Sequence, residues 1–161
     1  MARDLFMENV KVLLKGRHLD YIVVNHIEPD HSGSLVTLLE TYPEAKICIT
    51  PAGMKMFGQY FHLPLGDRFI PVNEKLVLNL GTHTLRFITA PMVHWPEVTF
   101  TYEETEKILF SADLFGTLGA LQGSIFADSS ETGVTLSEEM RTYYMNVIGR
   151  YGRQVTAAMK K

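Results

Sequence analysis

The sequence predicts an α/β fold of two sheets with helices outside. Three observations carry this reading. Helix-like and strand-like segments alternate from the N-terminus to Phe61. Short alternating strands separated by turn-like residues follow from about Gly66. Helical spacing then returns from Gly133 to Lys161.

Element by element, "DLFMENVKVLLKG" places Leu5, Val10, Val12, Leu13 and Leu14 near helical spacing and stops at Gly16. "LDYIVVNH" is apolar and β-branched, the pattern of a buried strand. Ser32 or Ser34 is positioned to cap the next helix, "SLVTLLETY", which Pro43 terminates. "AKICIT" reads as a second buried strand, and Pro51 opens the helix "PAGMKMFGQYFH" in its first turn. This part has the form of strand–helix repeats on a parallel sheet. "DRFIPV", "EKLVLNL", "HTLRFITA", "VTFTYEE" and "EKILFSAD" predict strands joined by hairpins, more antiparallel than before. The last segment has a Thr/Ser start with Glu138 or Glu139 at capping-box distance. No repeat or linker divides the chain, so one unit is expected.

At 161 residues the chain is long enough to bury a core, and 46% apolar with 20% charged residues is ordinary for a globular protein. A net charge of −3 and pI near 6.1 give no basic field for nucleic acid or an anionic membrane. No apolar run is long enough to cross a bilayer, and a cytoplasmic protein is expected. The one cysteine, Cys48, sits in a strand-like segment and reads as a buried small hydrophobe.

The chemistry concentrates in "NHIEPDHSGS". His26, Glu28, Asp30 and His31 fall within six residues, at the end of a predicted strand. Open α/β folds place their sites there, in the crevice beyond the carboxyl ends of strands. His94 in "APMVHWPE" and Asp113 in "KILFSADLFG" each follow an apolar strand as well. Converging, these six residues can hold two metal ions that share a carboxylate. Three imidazoles and three carboxylates without a thiolate suit zinc, iron or manganese and do not suit an iron–sulfur cluster. No residue beyond these ligands is assigned a catalytic role. His18, His62 and His83 read as surface residues, His62 as a charge partner of a helix end. Trp95 is a candidate wall of the pocket, or core. Phe115 and Gly116 are candidates for a turn that aims Asp113.

His26-x-Glu28-x-Asp30-His31, with His94 and Asp113, resembles the metallo-β-lactamase-like domain of flavodiiron proteins, the oxygen- and nitric-oxide-reducing flavoproteins. About 62 residues separate His31 from His94 and about 18 separate His94 from Asp113, as in that family. "HxEPDHSGS", "PMxHWPE" and "LFSxDxFG" fit too, and the resemblance runs over essentially the whole chain. It implies a metallo-β-lactamase-like αββα sandwich and a non-haem diiron site. One iron would take His26, Glu28 and His94, the second Asp30 and His31, with Asp113 bridging. Zinc hydrolases of the superfamily have a His where Glu28 stands, and a carboxylate there favours iron. The implied reaction is reduction of O₂ to water or of NO to nitrous oxide. Electrons would come from FMN on a flavodoxin-like domain or from rubredoxin, across a head-to-tail dimer.

Against that family pattern, the expectation is a partial domain spanning 1–161, without its first strands, the last iron-ligating His or a flavodoxin-like domain. Partial metal occupancy, weak activity, and a homodimer or higher oligomer follow as expectations. Two other functions compete: a metal-dependent hydrolase of the same superfamily, and a degenerate, non-catalytic binding module. Glu28 and the "HWPE" context argue against the hydrolase.

Overall fold

A computed structural model describes residues 2–119 and 133–161. The chain begins with helix α1 (Ala2–Leu14), which turns off through Lys15 and Gly16, both at positive φ (51° and 80°). Strand β1 (Tyr21–Val23) follows, then a one-turn helix α2 (Pro29–Ser32), helix α3 (Leu35–Thr41), strand β2 (Lys46–Ile49) and helix α4 (Pro51–Tyr60). Thr50 caps α4 by accepting from the Gly53 N–H at 3.1 Å, with Pro51 in the first turn as the sequence predicts. The expected serine cap before α3 is not made. Ser34 occupies the N-cap position without a side-chain bond, and buried Ser32 instead donates back to the carbonyls of Ile27 (2.9 Å) and Glu28 (3.1 Å). Ser32 closes the turn that carries Asp30 and His31 and so is not available as a cap.

Strand β3 (Phe69–Pro71) differs from its expected place. It pairs in parallel with β2, Cys48 opposite Ile70, and completes a parallel sheet of order β1-β2-β3. The hairpin pattern starts one strand later, because α4 makes the crossover that a parallel third strand needs. Strands β4 (Val77–Asn79), β5 (Thr84–Thr89), β6 (Thr99–Glu103) and β7 (Ile108–Phe110) form the second sheet, antiparallel and in sequence order. Helix α5 (Gly133–Tyr143) continues through a π-helical turn (Tyr144–Ile148) and a 3₁₀ turn (Gly149–Tyr151) into α6 (Gly152–Ala158). Thr135 and Ser137 already lie inside α5, so the capping box expected at Glu138 or Glu139 does not mark its start.

Side-chain alternation stacks these elements in four layers. Ile22, Ile47 and Ile49 point from the parallel sheet onto Leu35, Leu38 and Leu39 of α3 and Phe57 of α4. Tyr21, Val23, Cys48 and Ile70 point the other way, onto Leu78, Leu85 and Phe87 of the second sheet. Phe100 and Ile88 leave the far face of that sheet to meet Ile148, Val155 and Ala158. Cys48 is the buried hydrophobe the sequence suggests, and burial pushes its thiol up to about 11. Arg68 ties the helical layer to the parallel sheet. Its guanidinium donates to the carbonyls of Leu39 (3.1 Å), Tyr42 (3.1 Å) and Ala45 (2.9 Å), at the otherwise open end of α3. Among the described residues no helix is long and apolar enough to cross a membrane.

Candidate metal centre

Beyond the end of β1 the chain bends at Asn25, and the next side chains go to opposite sides. Fully buried Ile27 enters the core while His26 and Glu28 face the opposite way. Asn25 fixes this exit. Its carbonyl accepts from Thr99 N–H (3.0 Å), its Oδ1 from the Thr101 hydroxyl (2.6 Å), and its Nδ2 donates to the Phe110 carbonyl (3.1 Å). The end of β1 is thereby fastened to β6 and β7. Pro29 then starts α2, which presents Asp30 and His31 within one turn.

His94 stands in the β5–β6 loop beside Val93, which is fully buried. That loop is closed by Met92 N–H to the Trp95 carbonyl (2.8 Å) and Ala90 N–H to the Val98 carbonyl (2.9 Å). Asp113 follows β7, directly after Ala112 at φ 48°, a left-handed conformation that an alanine adopts only when its surroundings hold it there. Gly116 N–H closes the turn onto the Asp113 carbonyl at 3.0 Å. A Cβ on Gly116 would lie 2.5 Å from Cζ of Tyr143, so the turn needs glycine for the close approach of that ring. Phe115 and Gly116 do form the turn that carries the carboxylate.

All six predicted residues come together, in two overlapping groups: His26, Glu28, His94 and Asp113, and Glu28, Asp30 and His31. Nε2 of His26 is 3.0 Å from Oε2 of Glu28 and 3.3 Å from Oδ2 of Asp113. Nε2 of His94 is 3.3 Å from that Glu28 oxygen and 3.4 Å from that Asp113 oxygen. Asp113 turns its other oxygen, Oδ1, to Nε2 of His31 at 3.0 Å, and His31 also approaches Oδ2 of Asp30 at 3.5 Å. The first group is enclosed, the His26 side chain only 1% exposed; Asp30, 72% exposed, opens the second to solvent. The ring of Trp95 meets His26 edge-on at 5.2 Å between centroids, walls the site and packs into the core beside β6.

A metal ion fits the first group. Oδ2 of Asp113 is buried without a hydrogen-bond partner, although two imidazole nitrogens lie within 3.4 Å of it. The four donor atoms lie within 4.8 Å of one another, and Nε2 of His26 bonds directly to Oε2 of Glu28 at 3.0 Å. Separations of 3.0–3.4 Å are the edges expected of ligand atoms set about 2.1 Å from one ion. Nitrogen and carboxylate donors suit zinc, iron or manganese.

Electrostatics around the cluster follow the same arrangement. Burial alone would lower the His26 imidazole, but the hydrogen bond and charge of Glu97, then Glu28 and Asp113, outweigh it and raise its pKa. Burial would raise Glu97, but its bonds to His26 and to the Ile27 N–H hold it below the usual carboxylate range. The Tyr143 hydroxyl is pushed up to about 12, first by burial and then by the charge of Asp113 and a hydrogen bond to it. Glu97 and Tyr143 belong to the site and were not singled out from the sequence. Glu97 carries a weak signal, standing three residues after His94 in the same loop. Tyr143 carries none. Of the other histidines, His18 and His62 are exposed, His62 just past the end of α4. His83 is not a freely solvated residue, since its Nδ1 lies 3.2 Å from Oε1 of Glu103.

Layer order and site define a metallo-β-lactamase-like αββα protein with a candidate two-metal site. The model of the ODP family beta lactamase matches residues 3–158, and the chain belongs to that family. It is similar to the crystal structure of the flavodiiron protein from Giardia intestinalis, with a TM-score of 0.89 and 27% identity over 98% of this chain and 38% of that one. It is also similar to the rubredoxin oxygen:oxidoreductase of Desulfovibrio gigas, with a TM-score of 0.79 and 33% identity over 88% of this chain and 34% of that one. The anaerobic nitric oxide reductase flavorubredoxin of Aliivibrio fischeri is 33% identical over 157 residues, 97% of this chain and 31% of that protein. The chain spans about a quarter to a third of the length of the first curated relatives it matches.

Proposed function

We propose that this chain is the diiron-site domain of a flavodiiron-type oxidoreductase that reduces O₂ to water or NO to nitrous oxide. The observation that carries the reading is the division of Asp113, Oδ2 toward His26 and His94 and Oδ1 toward His31. A carboxylate so placed joins two donor sets, as a shared ligand must. His26, Glu28, His94 and Asp113 would hold one ion, and Asp30 and His31, with Asp113, the other. When bound, a ferrous pair supplies the electrons and Lewis acidity that the reduction of O₂ or NO requires.

The remaining work falls to the chain's own residues. Glu28 supplies a hard anionic donor where a third imidazole would favour zinc. Trp95 and buried Val93 exclude water from the side of His26 and His94. Tyr143, held protonated by burial beside Asp113, keeps a hydroxyl proton at the edge of the cluster. Solvent reaches the site through Asp30 and His31, so the second set is the weaker binder and the open face for a small ligand. Re-reduction needs an electron donor; a flavodoxin-like FMN domain or rubredoxin fills that role, in keeping with the names of the relatives. Iron content together with O₂ or NO consumption, with a flavodoxin-type donor supplied, tests the reading. Zinc with ester hydrolysis, in place of iron with gas consumption, would refute it.

A further inference from the structure

We propose that Glu97 is the positioning residue for His26, holding its imidazole as the Nδ1–H tautomer so that Nε2 is presented to the metal as a lone pair. The proposal rests on the metal-site reading above and names a residue outside the ligand set. Nδ1 of His26 lies 2.6 Å from Oε1 of Glu97, and both side chains are about 1% exposed. A carboxylate at that distance accepts the Nδ1 proton, so Nε2, which faces Glu28 and Asp113, is the nitrogen that gives up its proton when a metal binds. Among the described residues His31 and His94 approach the carboxylates through Nε2, and His26 alone of the three has a carboxylate on its other nitrogen.

Glu97 is itself held by the backbone of the β1 exit and by the cap of α4. The same Oε1 accepts from the Ile27 N–H at 3.1 Å, and the Glu97 carbonyl accepts from the Thr50 hydroxyl at 2.9 Å. Thr50 is the cap of α4, bonded to the Gly53 N–H. A line of bonds thus runs from the start of α4, through the β5–β6 loop, to the ring of the most buried ligand. Through it the scaffold, and not the metal, sets the direction of Nε2. Packing alone would be met by an apolar side chain of equal size; a buried carboxylate is retained here against its desolvation.

The test compares wild type, Glu97→Gln and Glu97→Ala in Fe(II) titrations under anaerobic conditions with a competing chelator. Alongside, nitrogen-15 NMR of the metal-free chains, at a pH where the imidazole is neutral, reads the His26 tautomer. The tighter Fe(II) affinity should fall about 10- to 100-fold in Glu97→Ala, the range for loss of a ligand-orienting partner. Glu97→Gln, whose amide oxygen still accepts from Nδ1–H, should recover most of that loss, and the far-downfield Nδ1 proton of wild type should be lost in Glu97→Ala. Should Glu97→Ala not fold, Glu97→Gln still reports, through an upfield move of that proton. Unchanged affinity and an unchanged tautomer signal in both variants would overturn the proposal alone. A wild-type chain that binds no Fe(II) would overturn the metal reading and this proposal together.

Discussion

Oδ1 of Asp113 lies 3.0 Å from Nε2 of His31, on the side of the carboxylate away from the oxygen that faces His26 and His94. One short side chain at the end of β7 thereby joins donors from α2, the β1 exit and the β5–β6 loop. Asp113→Asn keeps the shape but replaces one of the two oxygens by an amide nitrogen, which has no lone pair to offer a metal. The expected outcome is loss of the second metal equivalent and a weaker first one, counted as metal per chain after anaerobic reconstitution. Two equivalents retained in Asp113→Asn would exclude the shared-ligand arrangement.

Metal affinity should rise with pH. His26 is raised above its ordinary value of about 6.5, so its protonated form stabilises the metal-free fold below that pH, and this is lost as pH climbs through the folded value. Its partner Glu97 is lowered, so its contribution is present above about pH 4.3 and is lost on further acidification. The metal-free chain is therefore favoured between these limits, where a proton occupies the site that a metal would take. Binding must expel that proton. Calorimetric titration in buffers of different ionisation enthalpy should show net proton release below neutrality; a pH-independent affinity would contradict it.

Arg68→Ala should destabilise the fold without touching the site. It leaves the carbonyls of Leu39, Tyr42 and Ala45 without their donor. A cost of about 2 kcal/mol is expected from the loss of charged hydrogen bonds in a half-buried position. For a chain of this size that corresponds to a fall in Tm of roughly 4–8 °C. Metal stoichiometry at low temperature should be unchanged.

Self-association is expected on the side of α1. Leu5, Val12 and Leu13 of that helix are each more than half exposed, and β1 and β7 are edge strands of their sheets. Exposed edges beside apolar surface favour pairing with a second copy. Light scattering at micromolar concentration should find a dimer or larger species, and Leu13→Lys with Val12→Lys should shift it toward monomer. A strictly monomeric wild type would rule this out.

The grouping of the six candidate residues was legible because strand ends announce themselves: each of His26, His94 and Asp113 follows an apolar run, and the spacing that groups them is long and specific. The four-layer order was legible through the shift from strand–helix repeats to short alternating strands. Phe69–Pro71 was misplaced because a three-residue strand beside a proline has too little pattern to show which sheet it joins. Ser32 failed as a cap because a hydroxyl has several partners within reach, and burial against Ile27 and Glu28 decides among them. Glu97 and Tyr143 act through positions that only tertiary packing brings to the ligands. A lone carboxylate in a loop and a tyrosine on a distant helix carry no period or motif of their own.

The most direct test of the account is Fe(II) binding by the wild-type chain set beside His94→Ala. The enclosed set of His26, Glu28, His94 and Asp113 predicts one tight equivalent, and the solvent-open set of Asp30 and His31 a second, much weaker one. His94→Ala should remove the tight equivalent first. Two equally tight ions per chain, or a tight equivalent that survives His94→Ala, would contradict it.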